Sequence, residues 1–82
     1  MNIGHWNEPV TVRLGRSGAM VDAIDSALAA LQVLIHQWPV QGGPAHANAC
    51  DICFAALDGT ADPEAARLAF KEAAMEADIL AE

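Results

Sequence analysis

A chain of 82 residues with a net charge of −7 and only four lysines and arginines is long enough for one domain with a modest core, and too acidic to grip a phosphate backbone. Apolar residues make up 54% of it, much of that alanine, so helices can pack closely while the transfer energy per residue stays small; a stability on the order of 3–5 kcal/mol follows unless another chain adds surface. Of the cations, Arg13 and Arg16 make a spot of two charges near a turn and Arg67 and Lys71 stand apart from it, which argues against nucleic acid as a partner.

No stretch approaches the roughly 20 apolar residues of a membrane span, and the first residues lack the basic start and apolar run of a secretory signal. The expected location is therefore the cytoplasm, with no membrane role and with Cys50 and Cys53 reduced.

In chain order, residues 1–8 read as a loose arm tied down by Trp6. From Pro9 to Leu14, Val10, Val12 and Leu14 alternate with Thr11 and Arg13, the period-two pattern of a half-buried strand. Gly15-Arg16-Ser17-Gly18 predicts a turn, and Met20 to Ile24 a weaker return strand with Met20, Asp22 and Ile24 on one side. A first helix starts at Asp25 or Ser26, both good caps, and carries Ala27, Leu28, Leu31, Leu34, Ile35 and Trp38 as its apolar stripe until Pro39 stops it. After Gln41-Gly42-Gly43, Pro44 opens a second helix whose buried side gathers Ala49, Ile52, Cys53, Ala56 and Leu57 and which Gly59 ends. Asp62 caps a third helix with Pro63 in its first turn; Ala66, Phe70, Ala73, Ala74 and Ala77 face inward.

The opposite side of that third helix carries Leu68, Met75 and Ile79, interrupted by Glu72. Two readings stand: a frayed end folding back on the hairpin, or a surface for self-association or partner binding.

Candidate chemistry is sparse. Cys50 and Cys53 have the spacing of a redox dithiol, but they fall in the second and third turns of a helix that no strand precedes, with no lysine or arginine close in sequence to favour a thiolate. His46, Cys50 and Cys53 share one helical face and could offer three ligands to zinc, with His36, His5 or water as a fourth; structural zinc sites usually draw pairs of ligands from separate elements. Ser17 and Ser26 lie in a turn and at a cap, and the Gly15–Gly18 loop lacks the Gly-Lys-Ser/Thr ending of a phosphate cradle. Trp38, in phase with Leu31, Leu34 and Ile35, reads as a core residue before a binding anchor.

Pro9-Val10-x-Val12, Ala27 and Leu31 followed by Trp38-Pro39, then Ala49, Cys53, Ala56-Leu57 and Gly59, and Ala66-Arg67-x-x-Phe70-x-x-Ala73-Ala74-x-x-Ala77 together resemble the bacterial family called domain of unknown function 982, over nearly the whole chain. The resemblance implies a compact, cytoplasmic, stand-alone module with no catalytic residues to carry over. It implies too that Cys53 belongs to the family's pattern while Cys50 does not, and that His46 stands in an aromatic position.

The expected architecture is α+β: an N-terminal β-hairpin packed on three α-helices in one domain spanning residues 1–82, with Leu31, Leu34, Trp38, Cys53, Leu57 and Phe70 at its core. The open hairpin edges and thin core favour a homodimer or another protein partner. The expected function is a non-catalytic interaction or regulatory module without a cofactor, with Leu68, Met75 and Ile79 as its surface. The alternative is a thiol-redox or zinc-binding protein built on His46, Cys50 and Cys53.

Overall fold

The computed structural model describes residues 5–14, 20–38 and 42–81. Its elements follow the order β1 (His5–Leu14), β2 (Met20–Ser26), α1 (Ala27–His36), α2 (Pro44–Leu57) and α3 (Pro63–Glu76), an α+β fold in which an N-terminal antiparallel hairpin precedes three helices and lies chiefly on α1 and α3, rather than on all three as expected. The expected turn at 15–18 and the start of the arm at 1–4 lie outside the described residues.

Alternation works as expected in β1: Val10, Val12 and Leu14 are buried, and they pair across the hairpin with Ile24, Asp22 and Met20. The strand also begins earlier than its apolar pattern. Residues 5–8 are strand rather than loose arm, with a register irregularity between His5 and Val10, and Trp6 is only 3% exposed, its ring 5.7 Å from that of Phe70. One large aromatic anchor is enough to draw in a polar segment that has no periodicity of its own. Trp6 Nε1 is buried without a hydrogen-bond partner among the described residues.

Ser26 is the residue that caps α1, its hydroxyl accepting from Ala29 N at 3.1 Å. The buried face of α1 differs from the expected stripe. Ala27, Ala30, Leu31, Val33 and Leu34 point inward, whereas Leu28 and Ile35 are 53% and 60% exposed and Trp38 is half-buried. The small side chains of Ala27 and Ala30 let the helix approach the rest of the core closely, and that close approach turns the two larger residues outward.

The α2 helix ends in a Schellman turn: Gly59 takes φ +83°, its N–H donates to Ala56 O at 3.2 Å, and Thr60 N–H donates to Ala55 O at 2.9 Å. The end of α3 repeats the device with a less suitable residue. Asp78 sits at φ +58°, Asp78 N–H donates to Met75 O at 3.1 Å and Ile79 N–H to Ala74 O at 2.9 Å. This turn reverses the chain, so Ile79 is not on the outward stripe of α3 but 8% exposed inside the core. Residues 79–81 then run antiparallel along the free edge of β1, Arg13 N–H donating to Ile79 O at 2.7 Å and Ala81 N–H to Thr11 O at 2.9 Å, with a bridge between Val12 and Leu80. The end of the chain thus folds back on the hairpin, the first of the two readings of that segment.

The α2 helix packs against both α1 and α3, and α3 lies on β1. Phe70, fully buried, stands where these elements meet, with Trp6 on one side and Trp38 at 5.9 Å on the other. Of the expected core, Leu31, Leu34, Cys53 and Phe70 are buried, while Trp38 and Leu57 pack against it half-buried.

Truncating Phe70 to alanine should cost about 3–5 kcal/mol, comparable to the stability of the whole domain, so the Phe70→Ala variant should be largely unfolded by circular dichroism at 25 °C. Asp78→Gly should instead raise the melting temperature, because it relieves a left-handed residue worth up to about 1 kcal/mol; a lowered melting temperature would mean that the aspartate side chain supports the turn.

Candidate functional site

The start of α2 brings together most of the polar side-chain contacts between separate elements. Gly43, the cap position, offers no side-chain acceptor, and the carboxylate of Glu76 at the end of α3 takes that role, accepting from Ala45 N–H at 3.2 Å and His46 N–H at 3.3 Å. A Cβ on Gly43 would come within 2.7 Å of this carboxylate, and one on Gly42 would collide with the His46 ring. His46 Nε2 lies 2.8 Å from Leu34 O; a carbonyl only accepts, so Nε2 carries the proton and donates. The imidazole is 5.4 Å from the Trp38 ring. His46 thereby fastens the beginning of α2 to the last turn of α1, an aromatic packing position with one added hydrogen bond.

Cys53 projects from the same helix into the core and is wholly buried, while Cys50 is half-buried. Burial, and then the neighbouring Cys50, pushes the Cys53 thiol up to about 12; burial and then the charge of Asp51 push Cys50 upward as well. Both shifts favour the neutral thiol, whereas redox attack and zinc ligation need the thiolate. Among the described residues, no group of three His, Cys, Asp or Glu side chains stands close enough to hold a metal ion. His36, named as a possible fourth ligand, is exposed at the end of α1.

The outer surface carries more apolar area than the sequence reading assigned to it. Leu68 and Met75 project outward from α3, two turns apart, as expected; Ile79 does not join them. Between and beside them stand Glu64, Glu72 and Glu76, all exposed. Arg67 closes on Glu64 with Nη2 to Oε2 at 2.7 Å and Nε to both oxygens at 3.1 Å, and this hydrogen bonding holds the Glu64 carboxyl below its usual range. The residues not foreseen are Leu28 and Ile35 on α1, Phe54 on α2 and Val21 on β2, each more than half exposed. For α1 the signal was present in its composition: Ala27–His36 contains no Asp, Glu, Lys or Arg, so apolar residues occur all round the helix and a single stripe cannot be picked out.

A two-stranded hairpin bridged along β1 by residues 79–81, three alanine-lined helices and outward aliphatic residues define a small α+β module. The profile of the family described as "Protein of unknown function (DUF982)" matches residues 8–81, and the chain belongs to that family. It is similar to the Agrobacterium tumefaciens protein Atu1219, whose NMR structure was determined by the Northeast Structural Genomics Consortium: identity is 35% and the TM-score 0.78, over 95% of this chain and 76% of that one. Among curated proteins, none matches the chain.

The thiols provide a check by pH. In the unfolded chain Cys53 titrates near its ordinary value of 9.0, and in the folded protein at about 12. The folded state therefore keeps a proton that the unfolded state releases. The stability this represents is fully present below about pH 9 and is lost as pH rises towards 12, at up to about 1.4 kcal/mol per pH unit. The stability of Cys53→Ala should fall less steeply over that window in denaturant titrations, and native wild type should react with a thiol reagent at pH 7.5 only slowly at Cys53 until denaturant is added. Rapid labelling of Cys53 in the native protein would revive the thiol reading.

Proposed function

We propose that this chain is a small non-catalytic interaction or regulatory module of the cytoplasm that associates with itself and engages other proteins through its helices, without a cofactor. The observation that carries the reading is the set of large aliphatic and aromatic side chains turned outward on all three helices: Leu28 and Ile35, Phe54, and Leu68 with Met75. A domain of this size has little apolar area to spare from its core, and apolar area left outside in several places gains stability when another chain covers it. The direction of both thiol shifts supports the same reading over the thiol-redox or zinc alternative.

The α3 face suits an unlike partner. Leu68 and Met75 alternate with Glu64, Glu72 and Glu76, a pattern that fits a protein surface with lysine or arginine around an apolar anchor. Phosphate backbones and anionic membranes meet the opposite charge to the one they need.

Native mass spectrometry of the reduced protein, purified without chelator and sampled from low to high micromolar concentration, tests the proposal. A metal-free dimer whose share grows with concentration is the expected result. A monomer at every concentration would remove self-association, and a species carrying the mass of one zinc ion would replace the reading with the metal site at His46, Cys50 and Cys53.

A further inference from the structure

We infer that the second copy docks on the outer face of α1, with Leu28 and Ile35 as the paired anchors of an antiparallel two-fold contact. The inference rests on the proposed self-association and places it on the molecule. On α2, Phe54 is the one large apolar residue exposed, with Asp51 and Asp58 exposed on either side of it, so a second copy there would meet like charges around a single anchor. Three other surfaces compete for the role: the open edge of β2, the outer face of α3 and the outer face of α1.

The β2 edge is guarded. Among the described residues, its partner strand β1 has its other edge covered by residues 79–81, which leaves β2 as the free side of the hairpin. Along β2, Asp22, in register with Val12, and Asp25, three residues further on, both stand exposed. Charges on an edge strand oppose pairing with another strand. Two copies joined edge to edge would bring these four carboxylates together.

The α3 face is apolar but acidic. A second copy placed there would set Glu64, Glu72 and Glu76 of one chain near the same residues of the other, in a chain whose net charge is already −7. That face selects for an unlike partner and against itself.

The α1 face lacks this obstacle. It exposes Leu28, Gln32, Ile35 and His36, with no Asp, Glu, Lys or Arg anywhere in the helix, so two acidic chains can meet there with the least repulsion. A helix with apolar residues all round is normally covered all round. Leu28 and Ile35 are two turns apart, the spacing at which an antiparallel copy places Leu28 of each chain against Ile35 of the other, with Gln32 near the axis. The same arrangement sets the N-terminal end of each helix, where the dipole is positive, beside the C-terminal end of its neighbour, where it is negative.

The size of the face sets the strength of the contact. A standard interface buries about 800 Å² on each partner, roughly a sixth of the 4907 Å² surface here. A ten-residue helix, about 15 Å long, presents less than that, so the contact is smaller than a standard interface and belongs with weak, transient ones.

Sedimentation equilibrium on three proteins tests the placement: wild type, Leu28→Glu/Ile35→Glu and Leu68→Glu/Met75→Glu. All four positions are about half exposed or more, so both variants should keep wild-type helicity by circular dichroism, and Leu28→Gln/Ile35→Gln offers an uncharged replacement if the first variant does not. The expected result is a wild-type dimer that tightens with added salt, as repulsion between like-charged chains is screened, an α1 variant at least ~10-fold weaker, and an α3 variant unchanged. A wild-type dimer with an unchanged α1 variant, or with loss only in the α3 variant, would overturn the placement while leaving self-association standing. Dissociation of wild type by salt would overturn it too, because an uncharged contact does not depend on ion pairs. A wild type that stays monomeric throughout would overturn both and leave the α1 face to a different occupant.

Discussion

Phe70 is the contact on which the rest of the structure depends. Its ring lies between Trp6 of β1 and Trp38 after α1, and Trp38 in turn meets the imidazole of His46 at the start of α2. One side chain on α3 is thus linked through rings to β1, to the residues after α1 and to the start of α2, while β2 is held to β1 by its ladder. The remaining core is finer grained: eight of the nineteen described buried apolar residues are alanines. Alanines bring backbones together without contributing much area each, so the large rings supply a disproportionate share of the burial.

Around this centre the polar contacts act as fasteners. Glu76 stands in for the missing side-chain cap of α2, and His46 joins α2 to a carbonyl of α1. Both connect separate elements, and both explain residue types that would otherwise suggest chemistry. An imidazole within seven residues of two cysteines looks like part of a ligand set until its proton is found committed to Leu34 O. The thiols, both raised first by burial, then Cys53 by Cys50 and Cys50 by Asp51, belong to the packing.

How much was legible in the sequence varied with the physical strength of the local signal. The helix starts and the end of α2 were readable because Ser26, Asp62, Pro44, Pro63 and Gly59 act locally, through single hydrogen bonds and fixed dihedral angles, whereas α1 ends at His36, short of the Trp38 expected in its stripe. The rotation of α1 was not, because a helix made almost entirely of apolar residues has no polar face to orient it; only the alanines of its neighbours decide that Leu28 and Ile35 turn outward. The strand at residues 5–8 was invisible for the opposite reason, being polar apart from Trp6. Ile79 was misplaced because Asp78, not glycine, takes the left-handed position that ends α3, and aspartate gives a weaker sign of a helix stop. Of the candidate surface, Leu68 and Met75 were legible from helical spacing alone, since α3 has the charged residues that α1 lacks.

The bridge made by residues 79–81 joins parts of the chain almost seventy positions apart. Helices α2 and α3 can form and pair from local contacts, but the hairpin acquires this bridge only by closing a loop of almost seventy residues, at a larger cost in loop entropy. Its few hydrogen bonds have only Ile79 and the half-buried Leu80 behind them, so it should be among the first parts to open in native-state fluctuations. Each such opening bares the Thr11–Arg13 backbone, the one edge of the sheet that carries no acidic side chain at those positions. The carboxylates on β2 guard one side of the hairpin permanently, while the other is guarded only as long as the chain end stays in place.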